Sequence, residues 1–160
     1  MNKKSLSSLL RSLDSPNWSE RTIDGTCKVI KWLPVIKLGN QNFGITVEGD
    51  WCGEFSDNQR ICSGTFYTAF LTVLERSRAE IIELFQTAIK SAGLPKNVIK
   101  TFPFDEVLLE ALNSTQYWSS LADSWLDNGY PISPEIALSF PGHKMVLRWH
   151  KERMDKIIYA

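Results

Sequence analysis

Residues 65–92 read TFYTAFLTVLERSRAEIIELFQTAIKSA and contain neither Gly nor Pro. Apolar side chains recur three and four positions apart along this stretch, which is the spacing of one face of an α-helix. The polar run ERSR at residues 75–78 leaves two possibilities open, one long helix or two helices that break there. Gly93 and then Pro95 end the pattern. The spacing predicts that residues 66–91 are helical. The stripe predicted to face the core is Phe66, Phe70, Leu74, Ile81, Phe85 and Ile89.

The sequence before this helical stretch predicts a small antiparallel sheet. A short amphipathic helix is expected first, over residues 5–13, because leucines fall three and four apart there. Residues 20–48 then hold two strand–turn–strand patterns, the first around a two-residue Asp-Gly turn at positions 24–25. Pro34 is expected to separate the two hairpins or to mark an edge strand. Residues 49–64 are rich in turn residues and are predicted to form a long surface loop.

The sequence after the helical stretch predicts further helices. The first covers residues 105–113, and a second with a Ser or Thr cap ends at Gly129. Another is expected to start at Ser133, and a final basic helix is expected over residues 143–159. The predicted fold is therefore a single α+β domain over residues 1–160, in which a small N-terminal antiparallel sheet packs against a mainly helical C-terminal majority.

Composition and motifs narrow the classes of function. The chain has 160 residues, of which 43% are hydrophobic and 22% charged, and its formal net charge is zero. A neutral chain argues against a nucleic-acid partner, and no apolar run reaches the roughly 18 residues that a membrane span needs. The three cysteines match no zinc pattern, and no phosphate-loop or dinucleotide motif occurs, so neither metal nor cofactor is expected. These features predict a reduced, cytoplasmic protein with buried thiols.

The carboxylates are concentrated in one part of this neutral chain. Residues 101–142 carry six acids and no Lys or Arg, whereas residues 1–37 and 143–160 hold an excess of bases. A negative surface selects cationic partners and speeds encounter with them. The expected function is therefore protein binding, with a basic protein as the partner. The acids assigned to the binding surface are Asp105, Glu106, Glu110, Asp123 and Asp127. The aromatic residues expected to be exposed as anchors are Tyr117, Tyr130 and Trp51.

The acidic segment also fits two roles that involve no partner protein. Acids four residues apart on a helix usually form a solvated face. A solvated face normally mixes both signs of charge and this one does not, which weakens the first role. In the second role, basic residues of the predicted final helix, such as Lys144, Arg148 and Lys151, pair with the acids inside the protein. Both roles stay open at the level of the sequence.

Residues 117–136 carry a resemblance to a known class of protein. They read YWSSLADSWLDNGYPISPEI, an aromatic-rich helix that stops at a Gly, followed by a Pro-Ile turn and a capped helix start. This pattern resembles helix pairs of small bacterial toxin-neutralising proteins of the immunity type. Such proteins share no single fold, so the resemblance says nothing about the N-terminal sheet. It implies a cytoplasmic, non-enzymatic inhibitor that covers the active site of a toxin.

Two alternatives of different classes remain. Cys52 lies in an Asp-Trp-Cys-Gly sequence and could serve as the nucleophile of a hydrolase, with His143 or His150 as its base. The acids around Cys52 should raise its pKa, which is the wrong direction for a thiolate nucleophile. A regulatory domain that holds a small ligand in the loop at residues 49–64 is the third possibility. The sequence favours a binding module over an enzyme.

Overall fold

The computed structural model describes residues 1–14, 17–54, 60–62, 66–131 and 133. The chain divides into two compact units, Met1–Pro103 and Phe104–Ala160. The predicted helices from Ser133 onward and over 143–159 lie outside the described residues. That the chain forms a single domain stays a prediction.

The described residues form five strands and six helical segments, which confirms the α+β class. The five strands are β1 Ser19–Ile23, β2 Val29–Leu38, β3 Gln41–Thr46, β4 Trp51–Gly53 and β5 Arg60–Ile61. The four α-helices are α1 Lys3–Ser12, α2 Arg78–Ser91, α3 Phe104–Leu112 and α4 Gln116–Asp127. The two 3₁₀ helices are Tyr67–Glu75 and Lys96–Thr101. Within the described part of the chain, no helix is long and apolar enough to cross a membrane.

The two predicted hairpins are present, with differences at the turn and at the proline. The β1–β2 connection is longer than two residues, because Thr22 pairs with Val29 as the last pair of the ladder. The β2–β3 turn is the tight one, and Leu38 pairs with Gln41 across it. Pro34 lies inside β2, which both hairpins share, so the prediction that it separates them is wrong. Among the described residues, Pro34 pairs with Gly44 of β3 and β1 pairs with β2 only as far as Trp32, so the alternative that Pro34 marks an edge stays a prediction. The pairing register shifts just after Pro34, and a bulge is where a strand tolerates a residue without an N–H.

The predicted long loop over residues 49–64 also contains sheet, so this prediction is wrong in part. Strand β4 pairs with β3, and β5 pairs in parallel with β1, giving the strand order β4-β3-β2-β1-β5. Glu54, which follows β4, forms an isolated antiparallel bridge with Ile61 of β5. The first and last strands in the order therefore meet there, and the sheet closes on itself. The turn-rich composition of residues 49–64 does not predict these strands, because they are only three and two residues long.

The closed sheet encloses a small apolar cluster. It consists of Ile30, Trp32, Cys52 and Ile61, all buried. Gly44 lies against this cluster, because a Cβ atom built on it would come within 2.6 Å of the Trp32 ring and 2.3 Å of a backbone oxygen of β2. Only a residue without a side chain fits this close approach between strand β3 and the indole. Ile23 and Val47 are partly buried and pack against the same cluster.

Residues 66–91 contain two helical segments separated at Arg76, which confirms the second of the two predicted possibilities. Ser77 starts α2 with a capping box, in which its Oγ accepts from the Glu80 N–H at 3.3 Å and the Glu80 carboxylate accepts from the Ser77 N–H at 3.0 Å. The segment before the break is a nine-residue 3₁₀ helix rather than the α-helix expected. Phe66 is 54% exposed, so its place in the inward stripe was wrong, whereas the remaining stripe residues are buried.

The stripe residues build an aromatic core in the first unit. Phe85 lies 4.7 Å from Phe102 and 5.6 Å from Trp51, measured between ring centroids. Phe70 contacts Phe43 of β3 at 5.5 Å and Phe102 at 5.3 Å. Aromatic pairs at these separations add stabilisation beyond their buried area. The rings join the sheet to α2 and to the first 3₁₀ helix.

Candidate functional site

Five of the six acids of residues 101–142 lie on two helices of the second unit, α3 and α4, which contact each other. Their buried residues are Val107, Leu108, Ala111, Ala122, Trp125 and Leu126. The acids of the two helices are exposed or half-buried, as expected for amphipathic helices whose apolar stripe is buried. We call helices α3 and α4, with their acids Asp105, Glu106, Glu110, Asp123 and Asp127, the acidic helix pair.

Helix α3 carries three of the five predicted acids. Asp105 and Glu106 lie in its first turn, where negative charge is stabilised by the helix dipole. Glu106 is exposed and Glu110 is half-buried. Asp105 is half-buried and accepts a hydrogen bond from the Tyr130 hydroxyl, so its carboxylate has a role inside the second unit. Of these three acids, Glu106 is the one most open to a partner.

Helix α4 carries the remaining two acids. Asp127, at its C-terminal end, is exposed, and Asp123 lies one turn earlier and is half-buried. A carboxylate at a helix C-terminus is unfavourable for the helix, because the dipole there is negative. The dipole of α4 therefore does not stabilise Asp127 at that position.

The three predicted aromatic anchors have different outcomes. Tyr117, at the start of α4, is 56% exposed, as expected, and its ring contacts Trp118 at 4.8 Å. Tyr130 is buried against Trp125, so the prediction that it is exposed is wrong. Trp51 is only 4% exposed and donates its indole N–H to Thr101 Oγ1 at 3.0 Å, so it is a core residue of the first unit rather than an exposed anchor. Tyr117 is the one anchor candidate of the three that the structure leaves accessible.

The thiol of Cys52 is in a poor environment for nucleophilic chemistry. Burial, then the neighbouring Cys62 and Asp50, raise the pKa of Cys52 to about 12. Burial also raises the pKa of Cys62, whose thiol lies 3.0 Å from the Gly53 carbonyl oxygen. A neutral thiol is a weak nucleophile. The bases assigned to it, His143 and His150, lie outside the described residues. Cys27 is exposed, so the expectation of buried thiols was wrong for it.

A buried ion pair lies near the line where the sheet closes, and it was not among the predicted site residues. The Glu54 side chain is 3% exposed, and its Oε1 accepts from Arg21 Nε at 2.5 Å. Its Oε2 accepts from Asn42 Nδ2 at 2.7 Å. The Arg21 guanidinium also lies 5.7 Å from the centroid of the Trp32 ring, within cation–π range. Both carboxylate oxygens are thus used inside the protein.

The pair escaped prediction because its members are 33 positions apart and come together only when the strand order closes. The local sequence gives one indication of the position of Arg21, which lies between two polar residues on the short strand β1. That pattern fits an exposed base equally well.

Glu54 also lines a cleft of about 450 Å³ beside the β2–β3 turn. The polar groups around it include Asn40, Gln41 and Thr72, and Glu75 and Arg76 stand at the end of the first 3₁₀ helix. Because Glu54 is already satisfied, a ligand in this cleft would meet amide and hydroxyl groups and the charged side chains of Glu75 and Arg76 rather than the Glu54 carboxylate. The small-ligand alternative places its ligand in the loop at residues 49–64, and of the described residues of that loop Glu54 alone lines this cleft, so the alternative stays a prediction.

Among the residues that the structure describes, no group of three or more His, Cys, Asp and Glu side chains could hold a metal ion. Comparison with known proteins adds no assignment, since no protein-family model, no curated protein and no solved structure matches this chain. A functional assignment therefore depends on the surfaces and side chains of this chain alone.

Proposed function

We propose that this protein is a protein-binding module that recognises a basic partner through the acidic helix pair, in the manner of an immunity-type toxin inhibitor. The observation that supports it is the combination of Glu106, Asp127 and Tyr117, all exposed, on helices that carry no Lys or Arg. Exposed acids supply steering charge, and an exposed tyrosine supplies an anchor that can be buried on contact. A cytoplasmic location belongs to the same proposal.

A toxin that carries positive charge is a suitable partner for the acidic helix pair. Enzymes that cleave nucleic acids present positive charge to their substrate, and an acidic helix pair can occupy the same surface. Charge of this kind mainly raises the association rate, while the affinity comes from a few central residues that lose water on binding. Tyr117 is the residue assigned to the centre of the contact.

The experiment is co-expression with the protein encoded beside this chain, scored by growth, together with association kinetics. Replacing both Glu106 and Asp127 with Lys should slow association about tenfold or more at low salt, and the effect should shrink as salt rises. Stability should change little, because exposed charges contribute little individually. The matched control replaces Asp14 and Glu20, two exposed acids of the first unit, with Lys.

The results distinguish a contact surface from acids that pair inside the protein. Loss of growth rescue by the Glu106/Asp127 reversal, with rescue kept by the Asp14/Glu20 reversal, supports the acidic helix pair as the contact surface. Equal rescue by both variants contradicts it. A large drop in melting temperature for the first variant alone shows that these acids stabilise the fold internally.

A further inference from the structure

Helices α3 and α4 end in the same local structure, and each is followed by an asparagine. Asn113 follows α3 and Asn128 follows α4, and both residues are exposed. The Asn113 side-chain amide donates to the Leu109 carbonyl oxygen at 3.2 Å. The Asn128 side-chain amide donates to the Ser124 carbonyl oxygen at 2.8 Å, and in both cases the acceptor lies four residues earlier in the chain. The two asparagines therefore have matching positions and matching side-chain hydrogen bonds.

The residue after each asparagine also makes the same backbone hydrogen bond. The Ser114 N–H donates to the Ala111 carbonyl oxygen at 3.1 Å, and the Gly129 N–H donates to the Leu126 carbonyl oxygen at 3.1 Å. The two turns differ in the type of this residue, since Asn128 is the one asparagine of the sequence that precedes a glycine. The turn after α4 uses the freedom of that glycine, because Gly129 has a φ of 83°.

A glycine after an asparagine favours loss of the side-chain amide. Its backbone is the most mobile, and no side chain hinders an attack by its nitrogen. In this reaction the Gly129 nitrogen bonds to the side-chain carbonyl carbon of Asn128 and forms a cyclic imide. The amide nitrogen leaves as ammonia, which takes up the proton of the Gly129 N–H. Water then opens the imide, and the product is Asp or isoaspartate, with a carboxylate in place of the neutral amide.

We propose that Asn128 is a site of spontaneous deamidation, with water as the co-reactant, whereas Asn113 in the matching turn keeps its amide. The hydrogen bond of Gly129 to Leu126 holds the native turn, so attack by the Gly129 nitrogen requires the last turn of α4 to open. Helix ends open at a much lower free-energy cost than the core does. The reaction requires no partner, so the site does not depend on the function proposed for the acidic helix pair.

Deamidation changes the C-terminal end of α4 in two ways. A carboxylate cannot donate to the Ser124 carbonyl oxygen, so the hydrogen bond at 2.8 Å is lost. The reaction also adds a negative charge next to Asp127, at the end of the helix where the dipole is already negative. The product therefore has a less stable last turn of α4 and a more negative acidic helix pair.

The test is incubation of the full chain at mildly alkaline pH, followed by mass spectrometry of its peptides. The peptide with Asn128 should gain the mass of an amide-to-acid change at least about fivefold faster than the peptide with Asn113, because a glycine follows Asn128 alone. Ser114→Gly gives both turns the same dipeptide, so the Asn113 rate should rise to within about threefold of the Asn128 rate. In urea the Asn128 rate should rise about tenfold or more, because the turn no longer has to open.

Two variants complete the experiment. Asn128→Gln should remove the mass change from its peptide, because the longer side chain does not form this imide readily. Asn128→Asp provides the Asp product directly and should have a lower melting temperature than the wild-type protein.

Equal rates at Asn128 and Asn113 in the folded wild-type protein would overturn the proposal. An Asn128 that stays intact during an incubation that converts it in urea would overturn it as well, since the native turn then prevents the reaction. Asn113 that remains unreactive in a folded Ser114→Gly protein would show that the following residue is not the cause. Failure of the acidic helix pair to bind a basic partner would change none of these rates.

Discussion

Replacing Arg21 with Met should destabilise the protein far more than removal of any exposed base. Glu54 would remain buried, with its side chain 3% exposed and one oxygen without its ionic partner. Breaking a buried pair costs about 3–5 kcal/mol. The Asn42 hydrogen bond to the second oxygen persists and the Arg21 side chain is itself 21% exposed, so we take the lower end, about 3 kcal/mol. Loss of the contact with Trp32 is included in that figure.

Urea denaturation followed by tryptophan fluorescence measures this cost. With a slope of about 2 kcal/mol per molar urea, a loss of about 3 kcal/mol lowers the midpoint by about 1.5 M. Lys28→Met is the matched control, because the pair between Lys28 and Glu48 has a similar distance, 3.0 Å, but is exposed on both sides. That control should lose no more than about 1 kcal/mol.

The double variant Arg21→Met with Glu54→Met tests the cause of the effect. If the cost arises from a buried carboxylate without its ionic partner, removing that carboxylate as well should recover most of the lost stability. The reason is that a buried pair is often replaced by apolar residues at little cost. Equal destabilisation by Arg21→Met and Lys28→Met would refute this cause. A double variant less stable than the Arg21 single variant would refute it as well.

The remaining predictions concern the core and the thiols. Phe85→Ala should cost about 3–5 kcal/mol in free energy of unfolding because the ring is fully buried, whereas Phe66→Ala should change it by less than about 0.5 kcal/mol; equal effects on the urea midpoint would contradict the assigned core. At pH 8, iodoacetamide should label Cys27 quickly and leave Cys52 unlabelled until urea is added, because Cys52 is buried and its pKa is raised to about 12. Mass spectrometry of the labelled peptides measures this, and rapid labelling of Cys52 in the folded protein would revive the hydrolase alternative.

The sequence by itself determined the features that depend on near neighbours along the chain. Helix α2 was predictable because its apolar spacing and the absence of Gly and Pro are local, whereas the break before it, with the Ser77–Glu80 capping box, was seen in the structure. The β2–β3 hairpin was predictable for the same reason, since alternation and a Gly turn act over a few residues. The α+β class followed from these elements.

Only the tertiary structure decided which surfaces those elements leave open. Phe66 fits the helical stripe by spacing, yet it lies at the N-terminal cap of the 3₁₀ helix and is exposed. Trp51 has the sequence surroundings of an exposed loop residue, yet pairing of β4 with β3 turns it into the aromatic core. Burial depends on contacts between distant segments, which spacing along the chain does not encode.

In the candidate site, too, the sequence determined some features and the tertiary structure decided the others. The sequence determined that residues 101–142 carry acids without bases, because charge is a property of composition. It did not determine that Tyr130 would turn inward and bond Asp105, nor that the Glu54 carboxylate would be buried against Arg21. The physical reason is that a binding surface is what remains after packing, and packing is decided by all the segments together.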